Sequence, residues 1–465
     1  MYQYLGLEDT IAAIATPAGQ GGIGIVRISG NEAIAKADMV LRLRGSKALA
    51  DCKSHTVHHG WVIDAETKEI IDEVLVTLMR SPKSYTAEDV VEINGHGGMT
   101  VLRAVLQVVL NTGVRLAAPG EFTKRAFLHG RMDLTQAEAV IDIIHAKTES
   151  FLRQSHHQLK GELSIQLNEM REELIKLYTM TEALINFPED SIDAQNRRQI
   201  LNRIILQEDK MAKLLESSKS GRILKEGIRI VLCGKPNVGK SSLLNALLKE
   251  QRAIVTPIAG TTRDVLEESA QIKGIPIALV DTAGILEPRD LIEIEAVKRS
   301  QLYIKGADLV LLVLDHSRPL EEQDRLLMEQ LKAVRVLVVV NKMDLGGQID
   351  GSVPEAIFGQ ENVIKVSTLQ SASIQELEAR IVSLICKDIN FDAHGVLVSN
   401  IRHVKALEAA QENLQGACRL MKENTSLEFI SEELKAAVNQ LDAITGRNID
   451  EDLLDRIFSE FCIGK

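Results

Sequence analysis

Ile228-Arg229-Ile230-Val231-Leu232-Cys233-Gly234-Lys235-Pro236-Asn237-Val238-Gly239-Lys240-Ser241-Ser242 begins as an apolar run and ends as a glycine-bounded loop. Ile228–Cys233 has the length and branching of a buried strand, and the residues from Ser242 to Leu248 are helix-prone. Between them, Gly234 to Ser241 fits G-x-x-x-x-G-K-[ST] in the strand–loop–helix setting this pattern requires. Glycines let backbone N–H groups close around phosphate oxygens, and the helix N-terminus adds a favourable dipole. Lys240 is placed to neutralise β- and γ-phosphates, and the Ser241 hydroxyl to ligate Mg2+. A chance glycine turn has the same spelling, so the flanking sequence must decide.

Downstream motifs remove that bland reading. Asp281-Thr282-Ala283-Gly284 follows the apolar run Ile277–Val280, which puts Asp281 at a strand's carboxyl end, where open parallel sheets place their ligands. Asp281 can reach Mg2+ through water, and the Gly284 N–H can approach the γ-phosphate. Asn341-Lys342-Met343-Asp344 follows Val336–Val340. Asp344 can accept from the ring N–H and exocyclic amine of guanine, a donor pair adenine lacks. Ser367-Thr368-Leu369 ends the next apolar run and can contact the guanine carbonyl. With Asn237, Val238, Gly239, Lys240, Ser241 and Ser242, these residues spell the nucleotide site of a GTPase.

Two details refine the mechanism. Ile285 stands where many GTPases carry a water-orienting glutamine. The stretch Thr256-Pro257-Ile258-Ala259-Gly260-Thr261-Thr262-Arg263-Asp264 has a Thr-Thr pair suited to a switch, with Thr262 expected as second Mg2+ ligand and γ-phosphate sensor. The Asn237 side-chain carbonyl, close to the phosphates, suits a monovalent cation.

Outward from this core the texture changes three times across 465 residues. Residues 1–128 read as a mixed α+β domain of short strands and glycine turns, for example Gly24–Gly30 and Glu73–Leu78. Residues 129–222 lose glycine and proline and repeat apolar residues at helical spacing, as in Gln158–Leu174 and Leu201–Leu215. Residues 223–385 alternate strand and helix, which predicts a mostly parallel sheet with helices on both faces. Helical texture returns over 386–465, through Val404–Lys422 and Ser431–Leu441. Two helical segments around an α/β unit predict one discontinuous helical domain with the α/β domain inserted.

Composition sets further bounds. The formal net charge is -11 and aromatics are 3%, so neither whole-molecule attraction to phosphate backbones nor broad aromatic base stacking is expected. Cys52, Cys233, Cys386, Cys418 and Cys462 are scattered without a C-x-x-C pair, which fits neither a disulfide framework nor a cysteine-rich zinc site. No apolar run is long enough to span a bilayer, and no secretory signal opens the chain. A soluble, cytoplasmic protein with no membrane partner is the expectation.

Gly260-Thr261-Thr262-Arg263-Asp264, the phosphate-loop asparagine and the terminal Cys462-Ile463-Gly464-Lys465 together resemble the MnmE (TrmE) family of tRNA modification GTPases, within the TrmE-Era type. The likeness runs over essentially the whole chain. It includes Gly21–Gly30, Tyr85–Asp89, Gly95–Gly98, Pro119–Thr123, Arg125–Phe127 and Asp133–Ala139. It implies an N-terminal folate-binding and dimerisation domain (1–128), a helical domain (129–222 and 386–465) and an inserted Ras-like G domain (223–385). It also implies a homodimer, a 5-formyltetrahydrofolate or related tetrahydrofolate near the dimer interface, and the FAD/NADH partner MnmG (GidA) in a heterotetramer or larger complex. Together the two would add an aminomethyl or carboxymethylaminomethyl group to C5 of wobble uridine in certain tRNAs.

By motif, Arg27, Glu92, Arg131 and Lys465 fall on the family's folate positions, Arg131 standing where relatives can have lysine. The family's K+ ligands fall on Asn237, the carbonyls of Thr256 and Ile258, and Thr261. Its water-positioning acid falls on Glu293. The tail places Cys462 near the folate, where a thiol is a candidate catalyst. Without the resemblance, Arg27 and Glu92 read as ordinary strand residues, Glu293 as a solvated helix residue, and Cys462 as a terminal thiol. Cys233 reads as core, Cys52, Cys386 and Cys418 as packing residues, and His96 as a turn residue.

Two rivals share part of this pattern. A GTP-switch ribosome-assembly factor also carries the Gly-Thr-Thr-Arg-Asp segment, but calls for a basic RNA-binding module that this acidic chain lacks. A folate one-carbon transferase with a regulatory GTPase would bind the same ligands. Guanine selection is the first point to test. Asp344→Asn replaces an acceptor with a donor and should lower GTP affinity by about 100-fold or more while favouring xanthine nucleotides. Equal affinity of the unaltered protein for ATP and GTP would end the GTPase reading.

Overall fold

The structure is a computed structural model that describes residues 9–45, 47–186, 194–250, 267–281, 302–385 and 396–465. Strands that bury one face build the first sheet: β1 (Ile11–Ile14), β2 (Ile23–Ser29), β3 (Leu41–Leu43), β4 (Thr56–Ile63), β5 (Ile70–Met79), β6 (Val90–His96) and β7 (Arg115–Leu116). Their order is β3-β4-β5-β6-β2-β1-β7. Only β1 with β7 is parallel. Period-two alternation sends Val26, Ile28, Val74, Val76, Val91 and Ile93 to one face, where they pack with Ile34 and Ala37 of the helix Ala33–Val40 and Leu102 and Val105 of the helix Met99–Leu110. Arg27 and Glu92, which are register partners, alternate to the opposite face.

One guanidinium anchors this region. Arg125, 1% exposed on the helix Glu121–Leu128, donates to the Asp9 carbonyl at 2.8 Å, Asp9 Oδ1 at 2.6 Å, Glu88 Oε1 at 3.1 Å and Glu121 Oε1 at 3.0 Å. A buried charge survives only with such partners. Beside it, Ala126, Leu134, Ala137, Leu454, Phe458 and Phe461 form an apolar cluster. That cluster carries the helix Glu451–Ser459, and with it the chain's end, to the helix Glu121–Leu128.

Helices fill the two flanking stretches: Leu134–His145, Glu149–Leu159, Glu162–Asn186 and Ala194–Glu226 before the second sheet, Ile401–Lys422, Leu427–Thr445 and Glu451–Ser459 after it. The apolar spacing over Gln158–Leu174 predicts one helix, yet the chain breaks at Lys160-Gly161. Gly161 takes φ +86°, a left-handed conformation that ends a helix and that periodicity does not register. Glu162–Asn186 packs along Leu427–Thr445, tied by Arg171 to Asp442 and Ser431 to Glu182. Ala194–Glu226 packs along Ile401–Lys422, where burial and then the Glu208 carboxylate push the Cys418 thiol up to about 11. The chain divides into two compact units, Met1–Ile141 with Gln158–Ser191 and Asn424–Lys465, and Asp142–His157 with Ile192–Glu423.

The second sheet comprises β8 (Ile228–Cys233), β9 (Glu267–Ile272), β10 (Ile275–Asp281), β11 (Leu309–Asp315), β12 (Val336–Asn341) and β13 (Val363–Lys365). Its order is β13-β12-β11-β8-β10-β9, parallel throughout except for β9 against β10. The apolar runs over Ile228–Cys233, Ile277–Val280 and Val336–Val340 lie on strands of this sheet, and alternate residues of the sheet feed two cores. Ile230, Leu232, Leu311, Val313 and Leu337 meet Leu243, Leu247, Leu377 and Ile381 on one side. Val231, Val310, Leu312 and Val338 meet Leu327, Met328 and Leu331 on the other. β9 escapes a search for apolar runs because, as an edge strand, it buries only Ala270 and Ile272 among polar neighbours. Among the described residues no helix is long and apolar enough to cross a membrane. Leu311 is fully buried in a central strand, so Leu311→Ala should cost about 2–5 kcal/mol in denaturant unfolding at unchanged m-value. A loss below about 1 kcal/mol would mean that the β11 core collapses around the deletion.

Candidate functional site

A strand buried on both faces has one place left for polar chemistry, its end. β8 ends at Cys233, and the chain turns at once through Gly234 (φ +146°), whose Cβ, if added, would lie 2.4 Å from the Val313 carbonyl oxygen. Only glycine allows that approach. The loop then passes through Asn237 (φ +65°) and Gly239 (φ +99°) into the helix Lys240–Glu250. Lys240 is largely buried and its Nζ donates to the carbonyls of Gly234 at 2.8 Å and Lys235 at 3.0 Å, at the centre of the loop it serves. Ser241 and Ser242 are exposed on the first helical turn.

The end of β12 braces this loop from the side. Asn341, 1% exposed, donates from Nδ2 to the Val238 carbonyl at 3.0 Å. Lys342 donates from Nζ to the Asn237 carbonyl at 2.7 Å and to Asp315 Oδ2 at 2.6 Å. Asp344 is exposed, and its Oδ1 accepts from the Ser367 hydroxyl at 2.6 Å, which joins the Asn-Lys-x-Asp loop to the segment just after β13. Leu369 is exposed beyond it, and its backbone N–H donates to Ser367 Oγ at 3.4 Å. On the loop's other flank, Lys235 bonds Asp324 at 2.6 Å and Glu321 at 3.0 Å, at the start of the helix Glu322–Leu331. Burial opposes the Lys235 charge, but these two carboxylates outweigh it and hold the ammonium above its ordinary pKa. A cavity of about 120 Å³ lies here, lined by Lys235, Pro236, Asp315, Arg318 and Asp324.

Asp281 ends β10 in register with Leu232, so its backbone stands beside the loop. Thr256, Pro257, Ile258, Ala259, Gly260, Thr261, Thr262, Arg263, Thr282, Ala283, Gly284, Glu293 and Cys386 lie outside the described residues.

A second constellation forms at the N-terminal sheet from residues far apart in sequence. Arg27 Nη2 pairs with Glu92 Oε1 at 2.9 Å, and Arg27 Nη1 donates to the Gly464 carbonyl at 3.2 Å. Arg27 also stands 5.3 Å from the Tyr85 ring and 5.6 Å from the Phe122 ring. Arg131 lies 4.9 Å from the same Tyr85 ring and donates to the Tyr85 carbonyl at 2.9 Å. The Tyr85 hydroxyl shares a 2.8 Å hydrogen bond with Thr123. The chain's last turn is pinned by backbone: Phe122 N donates to the Lys465 carbonyl at 3.1 Å, and Gly464 (φ +95°) abuts the Ile14 carbonyl. Burial, then the charge of Arg27, pulls the Lys465 ammonium below its ordinary pKa, against the opposing pull of Glu92 and Cys462. Cys462 is exposed.

Among the described residues, those expected at these two places fall into two sets, one at the ends of β8, β12 and β13 and one at the N-terminal sheet. His96, expected as a turn residue, ends β6 and bonds Asp72 through its N–H at 2.8 Å and Nδ1 at 2.6 Å. Cys233 is fully buried, and Cys52 and Cys418 are buried. Sequence reasoning missed Asp315, the acids that hold Lys235, and Thr123. Asp315 carried a signal, since it ends an apolar run just as Asp281 and Asn341 do.

A mostly parallel sheet with a phosphate loop after β8 and Asn-Lys-x-Asp after β12, two strands away, defines a P-loop GTPase. A family model described as the GTP-binding protein TrmE N-terminus matches residues 10–131, and one for the MnmE helical domain matches residues 134–462. A tRNA modification GTPase MnmE of Alkaliphilus metalliredigens is 46% identical over 99% of this chain and 100% of its own length. That of Thermoanaerobacter pseudethanolicus is 45% identical over 98% of this chain and 99% of its own. Among solved structures, the G domain of the T. maritima FeoB iron transporter is 32% identical over 34% of this chain and 98% of its own, with a TM-score of 0.27. The chain belongs to the MnmE (TrmE) family of tRNA modification GTPases.

Gly239 offers a direct probe of the bracing. A Cβ there would stand 2.2 Å from Asn341 Nδ2 and on a left-handed backbone. Gly239→Ala should displace Asn341 from the Val238 carbonyl and weaken binding of a fluorescent GDP analogue by about 10-fold or more. Unchanged affinity would show that the brace is dispensable.

Proposed function

We propose that this chain is a K+-activated GTPase that acts with MnmG to add a carboxymethylaminomethyl or aminomethyl group to C5 of wobble uridine in certain tRNAs. A tetrahydrofolate would supply the one-carbon unit. The observation that carries this reading is the convergence of Arg27, Glu92 and the terminal Gly464-Lys465, with Arg131 on the shared Tyr85 ring. Their chemistry fits 5-formyltetrahydrofolate, a reduced pterin with N–H donors and an anionic glutamate. Glu92 can accept from the ring donors, the three cations can receive carboxylates, and the half-buried Tyr85 ring offers a flat apolar surface. When bound, the folate would supply a one-carbon group at the formate or methylene level. The exposed Cys462 thiol, near Lys465, is a candidate to act on it. The sheet face that carries Arg27 also exposes Ile23, Val57 and Leu75, apolar surface that supports a homodimer through this face.

In the G domain, Lys240 would neutralise the phosphates, and Ser241 with Thr262 would hold Mg2+. Asp344 and Ser367 would read guanine. Asn237 is exposed at the phosphate loop, and its carboxamide oxygen is a hard ligand suited to K+, with Thr256, Ile258 and Thr261 completing the set. Glu293 would orient the attacking water in place of the missing glutamine. The domain layout of 1–128, 129–222 with 386–465, and 223–385 belongs to this reading, as does a cytoplasmic setting.

Reconstitution with MnmG, tetrahydrofolate, GTP and tRNA tests the whole. Removing Cys462-Ile463-Gly464-Lys465 should abolish modified uridine and leave GTP hydrolysis within about twofold, because the tail carries no nucleotide motif. A truncated protein that modifies tRNA normally refutes the folate reading. K+ should accelerate hydrolysis where Na+ does not, Asn237→Ala should lose that acceleration, and Glu293→Ala should slow hydrolysis. Equal rates in both salts, with Arg263→Ala inactive, would replace the cation by an arginine finger.

A further inference from the structure

Asp315 ends β11 in register with Asn341 at the end of β12, inside the nucleotide site yet outside every motif that defines it. Its two carboxylate oxygens have separate partners. Oδ1 accepts from the Ser317 N–H at 3.0 Å and the Ser317 hydroxyl at 2.7 Å, closing a local turn. Oδ2 faces Lys342 Nζ at 2.6 Å, with the exposed Arg318 Nε at 3.8 Å. The same Lys342 ammonium donates to the Asn237 carbonyl of the phosphate loop at 2.7 Å. A continuous chain thus runs from a buried carboxylate, through the base-reading loop, to the phosphate loop.

Both residues that Asp315 controls through this chain hold left-handed backbones, φ +65° at Lys342 and φ +65° at Asn237. Such conformations persist in non-glycine residues only where surrounding contacts over-determine them. The neighbouring segment adds a second tie, since His316 N donates to the Asn341 carbonyl at 2.9 Å and the His316 carbonyl accepts from Gln348 N at 2.9 Å. Burial favours a neutral Asp315, but the hydrogen bonds from Lys342 and Ser317 outweigh it and keep the carboxyl below its ordinary pKa. We propose that Asp315 is a positioning residue for the guanine nucleotide: it holds Lys342 so that the base-reading loop and the phosphate loop bind as one rigid surface. This rests on the reading of Asn341–Asp344 and Gly234–Ser241 as the guanine and phosphate sites.

Asp315→Asn separates the two oxygens. The amide can keep an acceptor toward Ser317 but sets an N–H₂ donor against the Lys342 ammonium. In the full-length protein, release of a fluorescent GDP analogue, followed by stopped-flow, should accelerate by about 10–100-fold, the size of a lost charged hydrogen bond. The loss should fall on the KM for GTP rather than on kcat. Lys342→Met should release the analogue comparably fast, and Asp315→Asn should add little in that background. Lys332→Ala, which removes only an exposed lysine paired with Glu329, should release at the original rate. Unaltered release from Asp315→Asn, or effects of the two substitutions that multiply, overturns the proposal. If Asp315→Asn does not fold, Lys342→Met decides: release at the original rate overturns it. Xanthosine diphosphate against Asp344→Asn distinguishes the underlying reading, because failure there leaves the Asp315–Lys342 coupling measurable on its own.

Discussion

A sheet buried on both faces constrains everything placed upon it. β11 and β12 spend every internal position on apolar residues, and β8 does so from Ile230 onward, alternate ones feeding opposite cores. No lone charge can sit along such strands without a large desolvation cost. Polar chemistry is therefore confined to their carboxyl ends, where Gly234, Asp315 and Asn341 follow the last apolar residues. Parallel pairing then brings those ends to one edge, so the motif residues meet through packing as much as through spacing.

That confinement also explains why the phosphate loop is held by so few side chains. Its own glycines supply the turns, and its backbone carbonyls accept from Asn341, Lys342 and Lys240. Lys235 anchors the opposite flank through two carboxylates. The loop is gripped from both sides by neighbouring strand and helix ends, so its backbone stays in a shape suited to phosphate. Preorganised donors of this kind lose little freedom on binding.

The N-terminal sheet solves a different problem. One of its faces packs on the helices Ala33–Val40 and Met99–Leu110, and the other, partly covered by Phe122 of the helix Glu121–Leu128, presents Arg27 and Glu92. The chain's end reaches this face through the Phe458–Phe461 cluster, and backbone hydrogen bonds then seat Gly464 and Lys465. Arg125, nearby, ties Asp9, Glu88 and Glu121 through its two terminal nitrogens into the frame that holds the helix beneath the tail. A terminal lysine is thereby built into a site some four hundred residues from its partners in sequence.

The amino-acid sequence by itself determined the second sheet almost strand for strand, because uninterrupted apolar runs are an unambiguous demand for burial on both faces. It also determined the phosphate loop and the Asn-Lys-x-Asp loop, whose spacings are dictated by the ligand rather than by the rest of the chain. It was silent on β9, where an edge strand needs too little burial to leave a pattern, and on the break at Gly161, where one backbone angle outweighs a continuous helical period. Arg27, Glu92, Tyr85, Arg131 and Lys465 stood out in sequence only as family motifs. Their meeting was decided by tertiary structure, as was the bond from Asp315 to Lys342. The reason is physical: side-chain pairing across distant segments depends on strand register and on which helix covers which face, and neither is encoded locally.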